Sequence, residues 1–368
     1  MFKLLRFLVF ALGALASAAT LLSFNKSSHW FVRVWDFPRV QLAAASGVSA
    51  ALFRVLFFRG RREDWAFLAA NLLCVLWHGL KIRPYTPFAK VQVRRALPEK
   101  ERQSSFRLLI CNVRMENRRF DLLLEVVREN DPDIVLLVET DAAWERGLGP
   151  LREAYPHRVE QIQDNWYGIV LFSRLPLVDP RVEFLVQDDI PSVRTGFDLP
   201  GGAHIFLHCL HPRPPEPIRD QDSTPRDAEL VIVGRAIREA GDRPVVVAGD
   251  LNDVAWSPTS ELFLRLGGLL DPRIGRGFYN SYNADEPLLR WPLDHVFHSR
   301  HFQVVNLQRL RNVGSDHFPM LVELKHVPDE APGEAPPVPD QEDHEEADEK
   351  IAKQAEAAKT GDDRPSRE

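Results

Sequence analysis

Five apolar runs in this chain stop abruptly on a carboxylate, a carboxamide or an imidazole. They are LLICN, ending at Asn112; IVLLVE, ending at Glu139; and IFLHCLH, ending at His211. VVVAGDLND closes with Asp250, Asn252 and Asp253, and WPLDH contains Asp294. A sixth cluster, Ser315-Asp316-His317, precedes the last apolar run. Short apolar runs bounded by turn residues read as strands buried on both faces. Ionisable groups left beside such strands are costly unless something pairs them. In layered α/β folds the strand ends converge at one edge, so these side chains are expected to meet there.

The intervening segments fit that picture. Strands are expected at 106–113, 134–138, 168–172, 181–186, 193–199, 204–210, 245–248, 295–298, 302–310 and 320–324. Helical spacing of Phe120, Leu123, Leu124 and Val127 predicts a helix over 118–129, closed by Asn130-Asp131-Pro132. Further helices are expected near 225–240 and 260–266. Mixed strands and helices over 105–327 imply an α/β body. Four acids and two histidines with no cysteine among them describe a site for a hard cation, Mg²⁺ or Mn²⁺ rather than zinc.

The first 82 residues have a different character. Residues 7–24 form an uncharged, mostly apolar run behind Lys3 and Arg6, long enough to cross a bilayer core. Residues 40–58 carry only Arg54, near their end, and 65–80 form a third apolar segment flanked by Asp64 and Lys81. About three transmembrane helices are expected; the competing reading is a helical hairpin behind a cleaved signal, with Ala-Ser-Ala at 16–18. Arg59, Arg61 and Arg62 favour a cytoplasmic loop, which places the large domain outside the membrane. Residues 83–104, with Arg83, Lys90, Arg94 and Arg95, read as a basic juxtamembrane linker.

From Asp329 onward there are 14 acidic and 5 basic residues, net −9, so the rest of this −6 chain carries +3. That body has no strongly basic surplus to bind nucleic acid by charge alone. Residues 328–368, rich in Pro, Ala, Glu and Asp, read as a disordered acidic tail. Cys74, Cys111 and Cys209 read as small core residues, which excludes a disulfide framework.

The ordered series N…E…YG…H…GDLN…LDH…SDHFP resembles the endonuclease/exonuclease/phosphatase superfamily over about 104–326, and the N-terminal segments resemble its bacterial membrane-anchored members. The resemblance implies a four-layered α/β sandwich of two mixed sheets flanked by helices. It implies that Glu139, Asn112 and Asp316 hold the metal. Asp250 is then expected to orient the attacking water, and Asn252 to hold that water or a phosphate oxygen. His317 and His211 are expected to contact the phosphate, with Asp294 fixing the His317 tautomer. Tyr167, in the Trp166-Tyr167-Gly168 segment, either contacts a phosphate or packs.

Arg194 and Arg213 are candidate clamps for an anionic substrate, and 278–282 a candidate aromatic rim. Asn112, Glu139 and Asp253 have competing roles at turns and a helix start, while His208 and His295 read as packing residues. The implied activity is a membrane-anchored, metal-dependent hydrolysis of phosphodiesters or phosphomonoesters. Lipid head groups, nucleotides and nucleic acid all remain open as substrates, with the bilayer as the other partner. A metal-dependent nuclease and a non-catalytic membrane-tethered binding module are the alternatives. A scaffold acting through the acidic tail is a third class.

Overall fold

The computed structural model describes residues 1–99, 102–216, 221–327 and 335–360. The N-terminal part holds α1 (Phe2–Leu22), the short α2 (Trp30–Arg33), α3 (Arg39–Leu56) and α4 (Arg62–Ile82). The body begins with β1 (Ser105–Asn112), α5 (Phe120–Asn130), β2 (Ile134–Val138), α6 (Ala142–Gly147), α7 (Gly149–Ala154), β3 (His157–Gln161) and β4 (Ile169–Ser173). It continues with β5 (Leu177–Glu183), β6 (Ser192–Asp198), β7 (His204–Leu210), α8 (Thr224–Glu239), β8 (Val245–Asp250) and α9 (Pro258–Gly267). It closes with β9 (Asp294–His298), β10 (Phe302–Arg309), β11 (Met320–His326) and α10 (Gln341–Thr360).

Two mixed sheets result, ordered β10-β11-β1-β2-β4-β3 and β5-β6-β7-β8-β9. Each contains one parallel pair spanned by a helix: β1 with β2 through α5, and β7 with β8 through α8. Alternation along the strands sorts the side chains into layers. Phe106, Leu108, Ile110 and Leu136 face Leu207, Val246 and Ala248 across the central core. Leu109, Cys111, Val135 and Leu137 turn the other way, under Leu123 and Val127 of α5. Val245, Val247 and Phe297 likewise lie under Leu230, Val233 and Phe263 of α8 and α9. Full burial of one such side chain is worth about 1.5–3 kcal/mol, so the stacked layers fix the register of both sheets. The expected two-sheet body with outer helices is present.

The N-terminal helices pack on one another with the usual polarity reversed. Ser46, Ser49, Asn71 and His78 are fully buried, whereas Phe7, Leu8, Leu15, Leu72, Leu73 and Leu76 are exposed. Ser49 Oγ donates to the Val9 carbonyl, and Thr20 Oγ1 lies 2.9 Å from His78 Nε2. Two of the three expected spans, Phe2–Leu22 and Arg62–Tyr85, are long and apolar enough to cross a membrane. The middle helix α3 does not meet that measure.

The structure adds to the sequence expectations in three places. The described part of the basic linker packs on the body: Val93 is fully buried, the Ala96 amide donates to the Val304 carbonyl, and Gly275 donates to Pro84. The acidic tail is not structureless where it is described. Residues 341–360 form α10, because Glu, Ala, Lys and Gln are strong helix formers and one face finds partners. Ala347 and Ile351 pack on Val231, Leu262 and Leu266, while Asp343 pairs bidentately with Arg265. The rest of the expected tail, 328–334 and 361–368, lies outside the described residues. Finally, the polar strand β3 carries no apolar run of its own and forms as an edge beside β4.

Candidate active site

The six polar clusters do converge. Asp250 and Asp294 are partners across the β8–β9 ladder, which puts both at the same edge of the second sheet. Gly249, with φ of +144°, brings β8 so close to the Leu210 carbonyl of β7 that a Cβ there would collide with it. Asn112 ends β1 and reaches across between the sheets: its Nδ2 donates to Glu139 Oε1 at 2.7 Å and to Asp250 Oδ2 at 3.0 Å. One carboxamide thus joins a carboxylate from each sheet.

Glu139 follows β2 with φ of +63°, a left-handed conformation unfavourable for a side chain larger than glycine. That turn aims its carboxylate into the cleft, where the Met115 amide donates to Oε2 at 3.2 Å. Burial raises the Glu139 pKa to about 7, and the nearby Asp316 charge adds to the effect against opposition from Asn112 and His317. Burial likewise raises Asp250. Its Oδ1 accepts from the Asn252 amide at 3.0 Å, and the Asn252 side chain donates to the Pro212 carbonyl.

His317 Nδ1 lies 2.7 Å from Asp294 Oδ2, and its Nε2 lies 3.5 Å from Asp250 Oδ2. Burial alone would lower the His317 pKa; the Asp294 and Asp250 carboxylates outweigh it and raise it to about 10. His211 behaves oppositely. Its Nε2 is 4.0 Å from Asp250, but burial wins and lowers its pKa to about 4. Near neutral pH the pocket therefore holds one cationic and one neutral imidazole.

Two serines hold these pieces together, Ser315 from the Ser315-Asp316-His317 cluster and Ser281 from the 278–282 segment. Ser315 Oγ donates to the Asn112 carbonyl and accepts from the His317 amide. Ser281 Oγ accepts from the Leu293 and Asp294 amides, and its carbonyl accepts from the Phe318 amide. The loop before β11 is thereby tied to β1 and β9. Asp253 does not enter the pocket; it is buried against Arg226, Ser257 and Ser260. His295 is also structural, held between Arg273 and the Asp253 carbonyl.

Glu139, Tyr167, His211 and Asn252 line a cleft of about 310 Å³ together with Trp166, Pro214 and Glu216. Gly168 lets this segment lie against the Thr140 carbonyl, where a Cβ would collide. Arg213 is almost fully buried, pairs with Asp189 at 2.6 Å and lies over the Tyr167 ring at 5.3 Å. Its Nε and Nη1 have no partner among the described residues.

Arg194 is a correction. Val193 and Thr195 point inward and are buried, so Arg194 lies on the opposite face of β6, bonded to Glu183 at 2.9 Å and beside His208 and Arg243.

Two mixed sheets meeting over a pocket of carboxylates and imidazoles define a hydrolase fold of the layered α/β kind. The chain belongs to the endonuclease/exonuclease/phosphatase family, which matches residues 109–317, more than half of its 368 residues. Among solved structures, a humanized D. rerio TDP2 is similar at 16% identity and TM-score 0.51, over 60% of this chain and 99% of that one. The human Nocturnin catalytic domain is 17% identical over 64% and 97%, with TM-score 0.49. A family protein from Bacteroides thetaiotaomicron is 18% identical over 60% and 94%, with TM-score 0.47. At 16% identity the likeness to the TDP2 structure is one of fold alone. No curated protein matches the sequence significantly.

Proposed function

We propose that this chain is a membrane-anchored, divalent-metal-dependent hydrolase of phosphodiester or phosphomonoester bonds. The observation that carries the reading is the Asp294–His317–Asp250 line with Asn112 and Glu139 beside it in one pocket. Asp250 orients the attacking water and takes its proton, a role suited to a carboxylate whose basicity burial has increased. Asn252 holds that water or a phosphate oxygen. His317 stays protonated on both nitrogens, donating one to Asp294 and presenting the other to a non-bridging phosphate oxygen. His211, neutral, contacts a second oxygen, and Tyr167, beneath Arg213, lines the cleft beside it.

The Glu139 and Asp316 carboxylates suit a hard cation, with burial disfavouring the bare Glu139 charge; Asn112 steadies Glu139 through its Nδ2 while its Oδ1 accepts from the Arg114 amide. Such an ion would supply charge neutralisation at the phosphate. Asp250, Asp294 and His317 also offer atoms within 4.8 Å of one another. His317 as a shared proton carrier between the two aspartates makes that trio the poorer ion site. Anchoring is supported by the inverted polarity of the N-terminal helices and by the two spans of suitable length. With α3 as a third crossing and the Arg59, Arg61 and Arg62 loop on the cytoplasmic side, the catalytic domain would face outward.

The test is a panel of phosphodiester and phosphomonoester substrates with Mg²⁺, Mn²⁺ or EDTA, with His317→Ala as control. Turnover lost both in EDTA and in His317→Ala is expected; turnover untouched by the substitution would overturn the assignments. A C-terminal alkaline phosphatase fusion that stays inactive in cells would refute the outward orientation.

A further inference from the structure

A second cavity, of about 410 Å³, lies beside the catalytic cleft, and its walls are almost wholly apolar. Trp30, Val34 and Phe37, from the segment joining α1 to α3, form one wall; Tyr282, Leu289 and Trp291 from the body form the other. Its size falls in the range of about 300–1,000 Å³ in which proteins enclose small ligands. Apolar walls without atoms between them forfeit dispersion contacts that a hydrocarbon would restore.

The cavity is continuous with the catalytic machinery. The Tyr282 ring lies 4.9 Å from the His317 ring, Trp291 stacks on Tyr282 at 6.1 Å, and Phe37 meets Trp291 edge-on at 5.8 Å. Three rings thus lead from the phosphate-contacting imidazole to the membrane-side segment. Pro215 lines this cavity, while its neighbours Pro214 and Glu216 line the catalytic cleft, so the two share a wall. Around the mouth Phe31, Val34, Leu288 and Leu289 are exposed, Leu288 at 84%. The Leu288 carbonyl accepts from Gln41 in the first turn of α3. The opening therefore sits where the helix bundle begins.

We infer that the substrate is a phosphate ester carrying a hydrocarbon tail, with its phosphate at His317 and Glu139 and its tail between the 30–38 segment and Tyr282–Trp291. This rests on the hydrolase reading above and adds the substrate class. In the reaction the water oxygen bonds to phosphorus as the bond from phosphorus to the leaving oxygen breaks. The water proton passes to Asp250, the leaving oxygen takes a proton from solvent, and an alcohol and a phosphate are released.

The test uses the full chain in detergent micelles. Dioctanoylglycerol phosphate and geranylgeranyl phosphate serve as tailed substrates that separate an acyl from an isoprenoid source, with bis(p-nitrophenyl) phosphate as the tail-less control. Val34→Asp is expected to lower kcat/KM at least about 10-fold for one or both tailed esters and to leave the control within about twofold. No selective fall would overturn the inference. A tailed phosphate with a diazirine at its chain end gives a readout independent of turnover. Crosslinks should fall within 30–38 and 282–291 and disappear in Val34→Asp; crosslinks confined to the outer faces of α1, α3 and α4 would contradict the site. Crosslinking there without hydrolysis would leave the tail site and remove the hydrolase reading. Hydrolysis of the control with neither segment labelled would do the reverse.

Discussion

His317 Nδ1 lies 2.7 Å from Asp294 Oδ2 in a pocket that buries both side chains, and this contact accounts for much of the upward shift of the imidazole pKa. Asp294→Asn keeps the shape and removes the charge. We expect kcat to fall about 10²-fold. In wild type, kcat/KM should decline only as pH rises through about 10, where His317 loses its proton. In the variant that alkaline limb should move toward neutral pH. A pH profile with an unmoved limb would remove His317 as the titrating group.

Arg213 and Arg194 should separate cleanly. Arg213 is buried over Tyr167 with two nitrogens unpartnered among the described residues, a costly state that an anionic ligand would relieve. Arg213→Lys keeps the charge but loses the planar fork, so KM should rise about 10-fold with little change in kcat. Arg194→Ala, on the outer face of β6, should leave both constants within about twofold. Steady-state kinetics on the tail-less ester decides both.

Glu229 tests the electrostatics away from the site. It is buried in α8, and burial raises its pKa to about 8 from an ordinary 4.5. A raised carboxyl contributes stability that is present below pH 4.5 and lost as pH rises through 8. Glu229→Gln removes that dependence, so the variant should melt higher than wild type at pH 9 and near wild type at pH 4.5. An equal difference in Tm at both pH values would contradict the assignment.

The α10 helix should act as a brace. Lys350 Nζ is 2.9 Å from Asp227, which is buried in α8, and Arg265 grips Asp343. Truncation after residue 335 should lower Tm by about 3–8 °C while leaving turnover of the tail-less ester nearly unchanged. Turnover abolished together with an unchanged Tm would contradict a purely bracing role for α10.

The convergence of Asn112, Glu139, His211, Asp250, Asp294 and His317 is legible because each lies where an apolar strand begins or ends, and strand ends in layered α/β folds meet at one edge. What escaped has physical causes too. Arg194 falls outside the site because period-2 alternation, which turns Val193 and Thr195 inward, turns it to the other face of β6. The polar β3 exists only by pairing with β4, and its own residues carry no strand signal. For α10, composition counted charges and missed the Ala347–Ile351 stripe that meets α8 and α9. The bracing role of Ser281 and Ser315 is not legible in the sequence, because hydroxyls in loops acquire meaning only from the amides they reach.

In the proposed hydrolysis water attacks phosphorus from the Asp250 side of a single pocket. Hydrolysis in ¹⁸O-water, followed by mass spectrometry of both products, tests it most directly. One labelled oxygen should appear in the phosphate product at each turnover, none in the alcohol, and Asp250→Asn should slow the incorporation about 10²-fold or more. Label in the alcohol, or an undiminished rate in Asp250→Asn, would contradict it.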